Sequence, residues 1–327
     1  MSRSREVWIP YVVAGIAAAG FAYLVARDRQ RPQTLSEIVM MEPFVSTPGA
    51  TERLVVEASA SPETAKAGSV VARPVPPSGR FAPVTGETMG VALDTGRDSY
   101  RNFVAWVRAR KEMPTLPILL EEWIHEPWYD YAPPTRAGEE MAVHLEVAVA
   151  PWNPTHRLVR VGLKATPDPA AGRVPRVRAA ITFDPRFVRS ARRLASGDAM
   201  PEEGGGVAGA IDFGPDATFT ALYEVALAMV EGGDVLGSFT LSREITGGRR
   251  VASTHEIRDG GAVVLEASED FRFATAVAGL GLWLQSAPER ELIDPDDLIR
   301  WVGRVEEYDV AGRMEFIALV TKLRTRR

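Results

Sequence analysis

A strict two-residue alternation of side chains begins at Met141 and constrains the fold more than any other feature of the chain. Its apolar positions are Met141, Val143, Leu145, Val147 and Val149, and the positions between them are Ala142, His144, Glu146, Ala148 and Ala150. Successive side chains of a strand point to opposite faces, so this period predicts a β-strand with one face in a core. Trp152-Asn153-Pro154 then predicts a turn, and a second strand follows with Val159, Val161 and Leu163 on one side.

Further alternating runs follow the first two. They are Arg176 to Asp184, Thr218 to Val230, Val235 to Glu244 and Arg249 to Ile257, and glycine-rich or polar segments separate them. Several short strands at this spacing indicate an antiparallel β-sandwich.

Two amphipathic helices are predicted before the strands. The first has helical spacing between Tyr100, Phe103, Val104 and Val107, and its cap is Asp98 or Ser99. The second has Pro117 near its first turn, and its apolar positions are Leu116, Leu119, Leu120, Trp123 and Ile124.

Helices also close the chain. One is predicted from about Ser268 to Gln285, and another starts with Asp294 as N-cap and Pro295 at the first helical position. The last helix carries Phe316, Leu319, Val320 and Leu323 on one face. We therefore expect residues 85–327 to form a mostly β, α+β body, an antiparallel β-sandwich with flanking amphipathic helices. Residues 258–268 are a candidate boundary between two parts of this body.

A membrane anchor is predicted at the N-terminus. Val7 to Ala26 is a run of 20 residues without a charge, which as a helix spans about 30 Å of hydrocarbon. Arginines lie on both sides, and the aromatic residues near its ends are Trp8, Tyr11 and Tyr23. A cleaved signal peptide fits less well because the run is long and no A-x-A site closes it. A buried helix of a soluble protein is the other alternative.

The segment between the anchor and the body has the composition of a linker. Residues 27–84 contain eight of the 24 prolines, and their only aromatic residues are Phe44 and Phe81. The sequence thus divides into an anchor at 1–26, a Pro-rich linker at 27–84 and the body.

Charge and cysteine content exclude several classes of function. With 38 basic and 43 acidic residues the net charge is −5, which argues against a nucleic-acid binder because phosphate contacts need a basic excess. The chain has no cysteine, so disulfides, thiolate metal sites and a cysteine nucleophile are impossible.

The histidines do not form a recognisable metal motif. The four, His125, His144, His156 and His255, are scattered. Pro127-Trp128-Tyr129 follows His125-Glu126, where a zincin requires a second histidine. His144, Glu146 and His255 fall on alternate strand positions, which is typical of a solvated sheet face.

Other candidate motifs also favour structural roles. Gly204-Gly205-Gly206 lacks the lysine and hydroxyl of a phosphate-binding loop, and Gly237-Ser238 lacks the setting of a nucleophile elbow. Asp294, Asp296 and Asp297 fit helix capping better than acid–base chemistry. The tryptophans are expected to fill the core; they are Trp106, Trp123, Trp128, Trp152, Trp283 and Trp301. No catalytic, cofactor-binding or metal-binding residue is therefore predicted, and no cofactor.

Seven short segments of the sequence form two groups. The first group is Val91 to Tyr100, Leu120 to Trp123, Tyr129 to Tyr131, Pro151 to Leu158 and Val161 to Lys164, and the second is Thr220 to Glu224 and Ala267 to Ala278. The first group resembles the amino-terminal flank, and the second the carboxy-terminal flank, of the A domain in bacterial envelope proteins with a von Willebrand factor type A domain.

The chain departs from that family between the two flanks. There the family has a nucleotide-fold-like A domain with an Asp-x-Ser-x-Ser metal motif, whereas here Lys164 is followed only by Ala165 to Pro175 and then a predicted strand. The chain contains no Asp-x-Ser-x-Ser motif. Metal-dependent adhesion is therefore not expected, and the sequence resembles a scaffold without the inserted domain.

Two classes of function follow from these observations. The resemblance implies a non-catalytic, membrane-tethered protein-interaction or structural module of the bacterial envelope, in the inner membrane with a periplasmic body. It would bind a protein partner and would touch the membrane through Val7 to Ala26. The alternative is an envelope hydrolase whose residues come together only in the fold.

Overall fold

The computed structural model describes residues 79–109, 117–136, 138–168, 170, 172–195, 209–228, 234–245, 248–285, 287–303 and 310–325. Val7–Ala26, the expected membrane helix, lies outside these residues and stays a prediction. No helix within the described ranges is both long and apolar enough to span a bilayer.

The described strands are β1 (Ala82–Pro83), β2 (Thr88–Val91), β3 (Met141–Ala150), β4 (Asn153–Ala165), β5 (Val174–Phe183), β6 (Val188–Arg193), β7 (Ile211–Phe213), β8 (Thr218–Leu227), β9 (Val235–Ile245) and β10 (Arg249–Arg258). The α-helices are α1 (Asp98–Ala109), α2 (Leu120–His125), α3 (Glu269–Leu284), α4 (Pro295–Val302) and α5 (Val310–Arg324). Short 3₁₀ helices span Val264–Glu266 and Pro288–Leu292.

The strands form two antiparallel sheets. Sheet A has the order β1-β6-β8-β4-β3, and sheet B has the order β10-β9-β5-β2, with β7 paired to β5. Each of these pairs is antiparallel. The expected mixed α and β composition with antiparallel sheets is confirmed.

One apolar core lies between the two sheets. The odd-numbered residues Val159, Val161 and Leu163 of β4 belong to the same buried cluster as Val177, Ile181 and Phe183 of β5. The strands before and after the short connection at residues 166–173 therefore share one interior, as the alternation predicts.

A second apolar core lies on the other face of sheet A. There the even-numbered residues Leu158 and Leu222 pack in one cluster with Trp123, Phe273 and Leu298 from the helices. Sheet A is thus the middle layer, and β4 and β8 are covered on both faces. Residues 157–165 and 219–227 are buried without interruption.

Most helices match their sequence prediction. The apolar stripes expected for α1 and for the last helix are buried, and Ser268 caps α3 by accepting from the Phe271 amide at 3.2 Å. Asp294 caps α4 by accepting from the Asp296 amide at 2.8 Å, with Pro295 as the first helical residue.

The second helix was expected to have Pro117 near its first turn, but α2 begins only at Leu120. Ser99 explains the difference. Its Oγ donates to the Pro117 carbonyl at 3.0 Å and accepts from the Leu119 amide at 3.1 Å. These bonds satisfy the backbone outside a helix and hold Leu119 extended.

Several boundaries and strands differ from expectation. Gly79–Val84, assigned to the linker, is hydrogen-bonded to sheet A. The body begins with β1 and β2 rather than a helix, and β5 begins at Val174 rather than Arg176. The expected turn at Trp152-Asn153-Pro154 is a residue or two earlier, because β4 already starts at Asn153.

Strand β6 was not predicted from the sequence, because its residues, VRSARR, place charged side chains on both faces.

Gly162 provides a test of how closely the loop before β3 packs on sheet A. A Cβ at this position would lie 2.5 Å from the Tyr131 ring. We therefore expect Gly162→Ala to lower the free energy of unfolding by about 1–3 kcal/mol. Gly214→Ala is the matched control, since its Cβ would meet nothing within 4 Å and its φ is not positive. Denaturant unfolding of both variants measures the difference, and equal stability would contradict this packing.

Candidate functional site

Polar side chains line the face of sheet A that lies against the helices. They occupy even-numbered positions, because the alternation of β4 and β8 turns odd-numbered residues toward sheet B. The polar residues on this face include His156, Arg160, Lys164, Thr220 and Glu224. Buried charges need opposite charges or hydrogen bonds, so their partners decide what this layer can do.

Glu224 is the centre of the most connected group, which we call the Glu224 network. Its carboxylate accepts from His156 Nδ1 at 2.7 Å, from Arg192 Nη2 at 2.5 Å and from Trp152 Nε1 at 3.1 Å. Arg192 also donates to Glu289 at 2.6 Å. Glu224 is 1% exposed, so this carboxylate is enclosed by donors.

The hydrogen bonds around His156 fix its tautomer. Asn153 Oδ1 accepts from the Thr155 amide at 3.1 Å and from its hydroxyl at 2.8 Å. The Asn153 amide nitrogen is then the donor to His156 Nε2, at 3.2 Å. Nε2 is therefore the acceptor, and Nδ1 carries the proton donated to Glu224.

The surroundings of Glu224 favour its charged form. Burial alone would raise the pKa of the Glu224 carboxyl, but the hydrogen bond from His156 and the charge of Arg192 outweigh it and hold the pKa below its usual value. The network thus contributes to stability while Glu224 is ionised.

A second group joins sheet A to α3. Arg160 donates to Glu146 at 2.9 Å and lies over the Tyr131 ring at 5.0 Å. Glu146 also accepts from the Ser268 amide, 2.6 Å away. Asp270 accepts from Arg313 at 3.1 Å, but burial raises the pKa of its carboxyl despite the nearby arginines.

His125 lies buried beside α1. Burial, together with the charges of Arg97 and Arg193, lowers the pKa of His125 to about 3. The ring is therefore neutral at physiological pH, and the Thr220 amide donates toward its Nδ1 over 3.4 Å. A neutral ring that accepts from a backbone amide fits a packed interior.

The structure corrects the expectation that His144 and Glu146 lie on a solvated face. His144 bonds the Ala132 carbonyl at 2.9 Å and stacks on Tyr131, and Glu146 pairs with Arg160. Ser268, the cap of α3, and the loop before β3 contact this face of β3, which an isolated strand pattern cannot show. His255, on β10, bonds Ser253 at 3.0 Å.

The remaining sequence candidates have structural positions. Gly204-Gly205-Gly206 lies outside the described residues, and Gly237-Ser238 is inside β9. Asp294 caps α4, as expected. Four tryptophans are buried, but Trp128 is 49% exposed and does not fill the core. Within the described ranges, no three carboxylate or imidazole side chains are grouped as metal ligands would be.

The Glu224 network was missed by sequence reasoning. Its arginine lies on β6, the strand whose pattern gives no alternation, and His156 and Glu224 are 68 residues apart in the chain. A signal was nevertheless present. Two of the four even positions in the buried half of β4 carry charged residues, Arg160 and Lys164, which is unusual for a strand with a dry second face.

Comparison with known families gives a match to part of the chain. A family model described as "von Willebrand factor" matches residues 81–160, about a quarter of the chain. The chain therefore contains a region similar to that von Willebrand A-related family. No curated protein matches the sequence.

The matched region does not form a separate fold. It ends at Arg160, within β4, and β4 pairs with β8 at residues 218–226. Its strands β1 and β2 pair with β6 and β5, which also lie beyond the match. The similar region is thus one part of a larger body.

The role of Glu224 can be tested by stability. Glu224→Gln leaves the buried Arg192 with one carboxylate partner, Glu289, in place of two, so we expect a loss of about 1–3 kcal/mol near neutral pH. Because the folded pKa of Glu224 is depressed, its contribution is present above the unfolded pKa and lost as pH falls through the folded value. The difference from wild type should therefore shrink below about pH 4.

Glu256→Gln is the matched control, since Glu256 pairs with Arg258 at the surface and should change stability by less than about 0.5 kcal/mol. Urea unfolding at several pH values measures both variants. A difference for Glu224→Gln that is small at pH 7, or that grows on acidification, would contradict the network.

Proposed function

We propose that the chain is a non-catalytic, membrane-tethered protein-interaction or structural module of the bacterial cell envelope. In this proposal it lacks the metal-dependent A domain of the proteins it resembles. Its similarity to a von Willebrand A-related family over residues 81–160 supports an interaction role. The tether, the envelope location and the periplasmic side of the body rest on the sequence resemblance and on Val7–Ala26.

One observation carries the proposal: the segments that resemble the two flanks meet in a single polar network. Trp152 and His156 come from the first flank, Glu224 comes from the second, and both Trp152 and His156 donate hydrogen bonds to the Glu224 carboxylate. The connection at the position of the family's A domain spans only residues 166–173, from sheet A to sheet B. A scaffold can thus be complete without an inserted domain.

The paired state of the polar groups favours binding over catalysis. A histidine that acts as a general base needs a free acceptor nitrogen beside a nucleophile or water. The acceptor nitrogen of His156 is already bonded to the Asn153 amide, and the other is bonded to Glu224. The one His–carboxylate pair of the Glu224 network is therefore better explained by structure.

The surface offers positions at which a partner can be detected. Five large apolar side chains in the described body are about half exposed or more, and Leu265 at 48%, Leu292 at 63% and Met314 at 49% are three of them. Exposed apolar side chains are common in interfaces. They are therefore suitable sites for a photo-cross-linking amino acid.

We expect the full chain, expressed in bacterial cells, to remain in the membrane fraction after alkaline carbonate extraction. We also expect at least one of the positions 265, 292 and 314 to give a discrete photo-adduct with a different protein. Exposed Ser253 on β10 is the matched control position. Mass spectrometry of the adducts identifies the partner.

Release of the full chain by carbonate would contradict the tether. Cross-linking that is absent at all three apolar positions, or no different from that at Ser253, would contradict the interaction role. A reporter active only in the cytoplasm, fused after Arg327, should be inactive if the body is periplasmic.

A further inference from the structure

Residues Gly79–Val84, which we call the strap, lie along the outer edge of β6. The Gly79 amide donates to the Ala195 carbonyl at 2.9 Å, and the Val84 amide donates to the Arg189 carbonyl at 3.0 Å. Between these bonds, Ala82 pairs with Ala191 and Pro83 pairs with Ser190. The strap thus covers an edge of sheet A that would otherwise be open for pairing.

Phe81 anchors the strap to the Glu224 network. Its ring meets the His156 ring edge-on, with centroids 5.1 Å apart, and the Arg192 guanidinium lies 4.7 Å from its centroid. Aromatic and cation–π contacts of this kind are favourable and geometrically specific. We call the edge of β6, together with His156 and Arg192, the acceptor site.

The strap is held by few interactions. Strand β1 is only two residues long, and Pro83 has no amide proton to donate. Its link to β2 is the short segment 85–87, in which Gly86 has a φ of +86°. Such an edge can open locally without unfolding either core, because the strap contributes to the apolar cores through Val84, which packs against the core between the sheets and is only partly buried.

We infer that the acceptor site is a site of strand exchange, in which the strap of a second copy of this chain replaces the resident one. Each Phe81 would then lie on His156 and Arg192 of the other copy, and the exchange would be reciprocal. A second copy carries the one sequence that the structure already shows to fit this site. It recovers each lost contact with the same geometry, as in domain swapping generally.

The segment that joins the strap to β2 is short and contains a glycine, which favours exchange. Segment 85–87 joins the C-terminal end of the strap directly to β2. Rotation of segment 85–87 suffices to redirect the strap, and Gly86 tolerates both signs of φ. If the proposed tether holds copies in one membrane, their effective concentration rises; the exchange itself does not depend on that proposal.

Disulfide trapping in the full chain tests the exchange, since the chain has no cysteine of its own. Pro83 and Ser190 face each other across β1 and β6, so cysteines there are placed for a disulfide. One preparation carries Pro83→Cys and another, with a different tag, carries Ser190→Cys. We expect oxidation of their mixture to give a disulfide-linked pair that contains both tags.

Two controls make the outcome decisive. Ser253→Cys replaces Ser190→Cys as an exposed partner away from the strap, and it should give several-fold less mixed dimer. Phe81→Ala, added to the Pro83→Cys chain, should lower the mixed dimer several-fold because the anchor is lost.

In the double variant both cysteines lie in one chain, so a disulfide within that chain shows that its own strap occupies the acceptor site. If it forms that link while the mixture gives no more mixed dimer than the Ser253→Cys control, exchange does not occur and the proposal is overturned. A mixed dimer unaffected by Phe81→Ala would also overturn it, because collision rather than docking would then explain the link. Neither result bears on the heterologous partner, which is tested at other positions.

Discussion

Both faces of β4 are shielded from water over residues 157–165, and the rest of the body is arranged around this constraint. Its odd-numbered residues complete the core between the sheets, and Leu158 belongs to the core beneath the helices. Its buried cations each require a partner. Arg157 pairs with Asp259, Arg160 with Glu146 and Lys164 with Asp216. These pairings tie β10, β3 and the turn before β8 to one strand, so the layers cannot form independently.

The alternation of side chains predicted much of this fold, but only for strands that place one apolar face in a core. Val159, Val161 and Leu163 were placed correctly because the core between the sheets is apolar on both sides. Strand β6 could not be predicted because charged residues fall on both of its faces. The environment of His144 and Glu146 could not be predicted because it depends on contacts with Ala132, Arg160 and Ser268, which lie on other elements. The Glu224 network was hidden for the same reason: a carboxylate looks solvated until its donors from other strands are known.

The region that is similar to the von Willebrand A-related family, residues 81–160, depends on the rest of the body for its pairing. The matched region contributes β1, β2, β3 and most of β4, yet each of β1, β2 and β4 pairs with a strand outside it. Trp152 and His156 likewise complete their hydrogen bonds on Glu224. The region is therefore one part of a larger body, and residues beyond the match complete its sheets and its polar network.

Expression of the chain as two pieces, divided between residues 168 and 172, tests this interdependence most directly. Neither piece can cover both faces of β4 or satisfy Glu224, so each alone should lack a cooperative thermal transition. Together they should associate and recover a single transition, because the break lies in a connection and removes no strand. Two pieces that each fold and melt cooperatively on their own would contradict the account, since β4 and β8 would then belong to separate cores.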